Sequence, residues 1–373
     1  MVTSADVEGA LRGVIDPELG GDIVELGMLR GSEIDGTTVR VDIALTIAAC
    51  PLRDQIEGDV VRKISALPGV DEVEVRIAAM TDRQRSELMS VARRMARDTA
   101  EPTMIDPTTR VIAVSSGKGG VGKSTVSVNL AVALTDAGFR VGLLDADIWG
   151  FSVPRMLGAD GRLEAGEDRK IVPIEAGGIQ LVSTGLLVDD EDRALMWRGL
   201  MLSKALEQFL HDVAWDPALD YLVIDMPPGT GDIQMALARL LPQAEMVVVT
   251  TPQQTAQKVA ARVADMARRS YIPAVGVVEN MSGGVFGEGG GADLADDLGV
   301  PLIGSIPLDP LLVTASDDGD PVARDHPEAP AASAFAATAL QVAKLVPPAD
   351  QETCTARIAV LIEQLATAEA TAS

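Results

Sequence analysis

Residues 111–125 read VIAVSSGKGGVGKST, and few other strings constrain a fold so tightly. Gly117, Gly122, Lys123 and Ser124 satisfy the phosphate-loop pattern G-x-x-x-x-G-K-[ST]. Such a loop works only where a strand feeds it and a helix leaves it, because the phosphates rest on curled backbone N–H groups and on the helix N-terminus. Both neighbours are legible. Arg110–Ser116 is a short apolar run of strand character, and Ser124–Ala137 carries Val126, Leu130, Leu134 and Ala137 along one helical face before Gly138. The spacing predicts that Gly117, Lys118, Gly119, Gly120, Val121, Gly122, Lys123, Ser124 and Thr125 cradle a nucleotide. Lys123 would reach the β- and γ-phosphates, and the Ser124 hydroxyl would sit on Mg²⁺.

From Arg110 onward, strand and helix patterns alternate. Strands are expected at Phe139–Asp147, Gln180–Thr184, Tyr221–Asp225, Met246–Thr251, Ala274–Glu279 and Pro301–Ile306. The expected fold class is α/β: a P-loop NTPase with a mostly parallel sheet covered by helices on both faces, preceded by a small α-β-β-α-β domain. Aromatic residues make up only 3% of the chain against 47% hydrophobic residues, so the core must be aliphatic, as buried parallel strands require. Ligands in such sheets sit beyond the carboxyl ends of strands. Asp225 closes an apolar strand there, in the manner of a Mg²⁺-holding carboxylate. The expected organisation is a small domain over 1–80, a helical linker over 81–109 containing Pro102 and Pro107, an ATPase domain over 110–346 and a C-terminal tail or helix over 347–373.

A net charge of −24 disfavours nucleic acid as a partner. The absence of an apolar run approaching the roughly 20 residues of a membrane span disfavours a membrane, and a cytoplasmic protein is expected. Two cysteines, Cys50 and Cys354, exclude a disulfide framework and a four-cysteine metal site within one chain. Cys50 precedes an expected helix start, where a thiol pKa falls, and it reads either as a reactive thiolate or as a small buried residue in a turn.

The full string GKGGVGKST, with its second lysine Lys118, resembles the deviant phosphate loop of the MinD/Mrp class of ATPases. That resemblance implies a homodimer in which Lys118 contacts nucleotide across the interface, acting with Lys123 and Asp147 as the catalytic set. Asp145-Ala-Asp147-Ile-Trp-Gly150 is similar to the first switch of the class, where the second acid orients the attacking water; Asp145 reads either as part of that site or as a strand-end cap. Pro227-Pro228-Gly229-Thr230-Gly231-Asp232 resembles the second switch. Asn280-Met281-Ser282 stands where relatives recognise adenine, although a turn asparagine is the plainer reading. Asp16-Pro17-Glu18 and Thr46, four residues ahead of Cys50-Pro51, look like the small domain fused to Mrp-type ATPases, whose recurring cysteine Cys50 matches.

The resemblance covers nearly the whole chain and is to the Mrp/ApbC iron–sulfur carrier ATPases. It implies ATP and Mg²⁺ as ligands, a [4Fe–4S] cluster held in part by Cys50, and apoprotein recipients or a scaffold as partners. One departure stands out: many members carry a CxxC after the Asn-Met-Ser turn, and residues 282–291 here contain no cysteine. Two rival classes follow. A MinD- or ParA-like positioning ATPase would carry no cluster, but the terminal segment 356–370, with one arginine and no lysine, lacks the basic face of a membrane helix. A nitrogenase-iron-protein-like electron carrier would need cysteines near Asp225.

Overall fold

The structure, a computed structural model, describes residues 2–16, 21–46, 53–99, 102–147, 150–166, 168–187, 200–229 and 231–348. The chain divides into two compact units, Met1–Ala100 and Glu101–Ser373. The first contains α1 (Ser4–Leu11), β1 (Leu29–Asp35), β2 (Thr38–Leu45), α2 (Arg53–Ser65), β3 (Glu72–Ala79) and α3 (Asp82–Thr99). β2 is central, antiparallel to β1 and parallel to β3. Its alternation decides which face is covered: Val39, Val41, Ile43 and Leu45 are buried together with Ile56, Val60 and Ile64 of α2. The sequence set residues 81–109 apart as a linker; in the structure α3 clusters with the first unit. Cys50 and Cys354 lie outside the described residues.

The second unit is built on an eight-stranded sheet. In chain order its elements are β4 (Arg110–Ser116), α4 (Lys123–Asp136), β5 (Val141–Asp145), α5 (Val153–Met156), β6 (Glu164–Ala165), β7 (Ile171–Val172), β8 (Ile174–Ala176), β9 (Ile179–Ser183), α6 (Leu200–His211), β10 (Tyr221–Asp225), α7 (Gly231–Leu240), β11 (Glu245–Thr250), α8 (Gln254–Arg269), β12 (Ala274–Ser282), α9 (Gly290–Leu298), β13 (Leu302–Pro307), α10 (Pro310–Asp318), α11 (Val322–Asp325) and α12 (Pro330–Leu345). The strand order is β13-β12-β11-β4-β10-β5-β9-β8, parallel throughout except for β8 at the edge. β6 and β7 pair apart from it as a short hairpin. These two- and three-residue pieces lie between the expected strands and are too short for any alternation to register.

The two faces of β4 and β10 feed separate cores. Ile112, Val114, Tyr221 and Val223 pack with α4 and α12, while Val111, Ala113, Leu222 and Ile224 pack with α6, α7 and α8. Helix α4 is buried nearly all round from Val126 to Leu134, as a helix enclosed between the sheet and α12 must be. Gly138, at φ +94°, turns the chain out of α4 into β5. At the far end of the sheet, Tyr221 donates its hydroxyl to the Val346 carbonyl at 2.8 Å, and Arg110 Nε donates to the Pro347 carbonyl at 2.7 Å. Burial pushes the Tyr221 hydroxyl up to about 12, so it remains a donor at any physiological pH. Among the described residues, no helix is long and apolar enough to cross a membrane.

Candidate nucleotide site

β4 is the fourth strand from the β13 edge, flanked by β11 and β10, and its carboxyl end opens into the loop 117–122. Two close approaches fix the glycines. A Cβ on Gly117 would run into the backbone of Val259 and Ala260, so α8 can lie against the loop only if residue 117 has no side chain. Gly122, the N-cap of α4, has φ +78°, and a Cβ there would strike the Asn280 amide. Val121 turns its side chain into the core, leaving its backbone to the loop. Lys118, Gly119 and Gly120 form the exposed rim.

A recess of about 230 Å³ opens over this loop, lined by Lys118, Gly120, Lys123, Ser124, Asp147 and Pro228 among others. A second, of about 240 Å³, shares Thr125 and Met156 with it and is walled by Asn280, Met281, Pro307, Leu308 and Leu312. A polar chamber ringed by N–H groups thus adjoins a more apolar one, the arrangement a triphosphate and a base would need.

Beneath the loop lies a buried ionic cluster. Lys123 Nζ stands 2.7 Å from Asp225 Oδ2 and 3.7 Å from Asp147 Oδ2. Ser124 donates its hydroxyl to the same Asp225 oxygen at 2.7 Å, and Ser127 donates to Asp225 Oδ1 at 2.6 Å. Asp225 is fully buried, and these donors take the place of water on both of its carboxylate oxygens. Ser124, Asp225 and Asp147 offer oxygen atoms alone, the donor set of a hard divalent cation such as Mg²⁺. Asp145, also fully buried, accepts from the Ser183 hydroxyl at 3.0 Å and from the Asp147 N–H at 3.1 Å. Burial, reinforced by the neighbouring Asp225 charge, pushes its carboxyl up to about 8. Burial also raises Asp147, with Lys123 opposing.

Asn280 is buried and donates Nδ2 to the Val121 carbonyl at 2.9 Å, which ties the base-side recess to the phosphate loop. The preceding Glu279 is buried as well. Its carboxylate accepts from the Ser282 hydroxyl at 2.7 Å, the Gly289 N–H at 3.2 Å and the Gly291 N–H at 2.5 Å, and so folds the glycine-rich segment 282–291 back on β12. The structure therefore brings together Gly117 to Thr125, Asp147, Asp225 and Asn280 at one rim. Ser127 and Glu279 were not singled out in the sequence. Among the described residues, no group of three or more His, Cys, Asp or Glu side chains is placed to hold a metal ion by itself.

Comparison with known proteins decides the family. The model of the NUBPL iron-transfer P-loop NTPases matches residues 107–343. The chain belongs to this family. A second model, of an iron–sulfur cluster assembly protein, matches residues 4–76, in the first unit of this iron-transfer NTPase. The iron–sulfur cluster carrier protein of Mycobacterium leprae is 46% identical over 341 residues, spanning 87% of this chain and 88% of its own. The protein of the same name from Deinococcus radiodurans is 44% identical over 345 residues, spanning 90% and 93%. Among solved structures, an Archaeoglobus fulgidus nucleotide-binding protein in complex with ADP is 34% identical, with a TM-score of 0.50 over 60% of this chain and 89% of that one. Pyrococcus horikoshii MinD complexed with Mg-ADP is 25% identical, with a TM-score of 0.53 over 65% and 99%. The second unit thus has a MinD-like fold.

Proposed function

We propose that this chain is an ATP-hydrolysing homodimer that carries iron–sulfur clusters and hands them to apoproteins. The nucleotide half of this reading is carried by one observation: Lys123, Ser124, Asp147 and Asp225 converge beneath a glycine cradle whose close contacts exclude any side chain at 117 or 122. Backbone N–H groups 117–124 and the start of α4 bind the phosphates, and Asn280 and Thr125 border the base. Lys123, whose Nζ lies 2.7 Å from Asp225 Oδ2, meets the β- and γ-phosphates. Ser124 and Asp225 would hold Mg²⁺, which would neutralise charge on the phosphate oxygens. Asp147 accepts a hydrogen bond from the attacking water and fixes it in line with the γ-phosphate. Lys118, exposed at the rim, reaches the nucleotide of a second copy.

The cargo half rests on the family and on relatives named as iron–sulfur cluster carriers. The thiols this chain can offer a cluster are Cys50 and Cys354, two per protomer and four per dimer. Cys50, in the segment matched by the assembly-protein model, is the proposed cluster ligand. A MinD-like positioning role is supported by fold alone, and it leaves the 4–76 match unused. The test is anaerobic reconstitution with iron and sulfide, followed by transfer to an apoprotein. A broad visible absorption band that Cys50→Ser weakens, together with activation of the acceptor, supports carriage. No band in wild type refutes it and leaves the ATPase reading standing.

A further inference from the structure

We infer that Ser127 is a positioning residue that sets the orientation of the Asp225 carboxylate. The inference rests on the reading of Ser124 and Asp225 as the Mg²⁺ pair. Ser127 lies one helical turn beyond Lys123 on α4, on the same side of the helix, and is fully buried. Its hydroxyl has one proton and two acceptors in reach: Asp225 Oδ1 at 2.6 Å and the Lys123 carbonyl at 3.1 Å. A serine inside a helix ordinarily returns its proton to the carbonyl four residues back. Here a buried carboxylate competes, and a charged acceptor at that short distance makes the stronger bond. The proton goes to Asp225.

The two carboxylate oxygens therefore have different duties. Oδ2 faces Lys123 and Ser124, both at 2.7 Å, on the side of the phosphate loop. Oδ1 faces the helix and is held by Ser127. A carboxylate turns readily about its terminal torsion, where rotamer wells are broad. Ser127 removes that freedom from the far side, so that Oδ2 stays aimed at the position the cation takes beside Ser124. The restraint matters most once Lys123 has left Asp225 for a phosphate, because the carboxylate has then lost one of its donors on the near side. Partners that orient a metal's ligands govern its affinity without touching it.

The measurement is ADP binding to the full-length protein, first in EDTA and then across a magnesium series. Ser127→Ala should raise the magnesium concentration needed for half-maximal tightening of ADP binding by on the order of tenfold. It should leave metal-free ADP binding unchanged, which a general loss of packing would not. Ser127→Thr, which restores the hydroxyl, should bring the magnesium dependence back toward wild type. If Ser127→Ala does not purify folded, Ser127→Cys replaces it, since a thiol keeps the volume with a weak donor. An unchanged magnesium dependence in the variant, or an equal loss of metal-free binding, overturns the inference. A wild type whose ADP binding ignores magnesium fails the parent reading and removes this one with it.

Discussion

Two loops leave the same edge of the sheet and are built in opposite ways. The loop after β4 is fastened from every side: α8 against Gly117, Asn280 on the Val121 carbonyl, and Lys123 and Ser124 on Asp225. The loop after β12, residues 282–291, is held at its root by the Glu279 carboxylate and by the Leu308 N–H on the Ser282 carbonyl, and beyond that it is tied mainly to itself, the Gly283 N–H donating to the Gly287 carbonyl at 2.6 Å. Its glycines 283, 284, 287 and 289 all have positive φ, and Val285 at its tip is 89% exposed. The first loop has the preorganisation of a binding site. The second presents an exposed, glycine-rich tip and has no thiol with which to hold a metal. Nucleotide chemistry is thus written into local geometry, whereas residues 282–291 contain no cysteine.

The largest expected effect tests the first loop. Lys123→Ala should lower ATP turnover by at least about 100-fold, because it removes the group that meets developing phosphate charge. Steady-state phosphate release by variant and wild type measures it, and a loss under about tenfold would remove Lys123 from the catalytic set.

A second prediction sets the loops directly against each other. Glu279→Ala strips the acceptor from the buried Gly291 N–H, from the part-buried Gly289 N–H and from the Ser282 hydroxyl, and should cost about 1–3 kcal/mol. Native-state hydrogen exchange should accelerate over 287–294 while protection over 111–127 is retained. Equal acceleration in both would mean that the loops are not independent.

A third concerns Asp145, whose folded carboxyl near 8 lies above its ordinary 3.8. Folding therefore takes up a proton between about pH 4 and pH 8, and this residue's contribution to stability falls as pH rises through that window. Asp145→Asn removes the dependence while leaving an acceptor for the Asp147 N–H. In nucleotide- and magnesium-free protein, the variant should gain on wild type as pH rises, by at most about 1.4 kcal/mol per unit. Parallel denaturation midpoints from pH 5 to pH 8 would contradict it.

The smallest effect lies at the opposite end of the sheet. Tyr221→Phe loses one hydrogen bond to Val346 and should cost about 1 kcal/mol, read from urea unfolding, with ATP turnover unchanged.

The same contrast explains what the sequence disclosed. The phosphate loop was legible because its glycines and lysine stand at fixed spacing, and β4 and β10 emerged with the boundaries their apolar runs suggest. Asp225 was legible only because its apolar strand follows a phosphate loop; a strand that ends in an acid is a weak signal by itself. Ser127 was not: a serine inside a helix carries no signal until the fold sets it opposite an acid 98 residues away. Glu279 likewise looks like any strand-end acid until the N–H groups of residues 289 and 291 return to it. Asn280 was read for the base; its amide also holds the loop, a duty set by a backbone carbonyl 159 residues distant. β8 escaped notice because three residues give alternation nothing to repeat.

The central claim is that a magnesium nucleotide is gripped between the loop after β4 and Asp225. Isothermal titration of the full-length protein with ATP, with and without magnesium, addresses it most directly. Saturable binding that magnesium tightens and Lys123→Ala abolishes is the expected result. Binding indifferent to both magnesium and Lys123, or no binding at all, would contradict it.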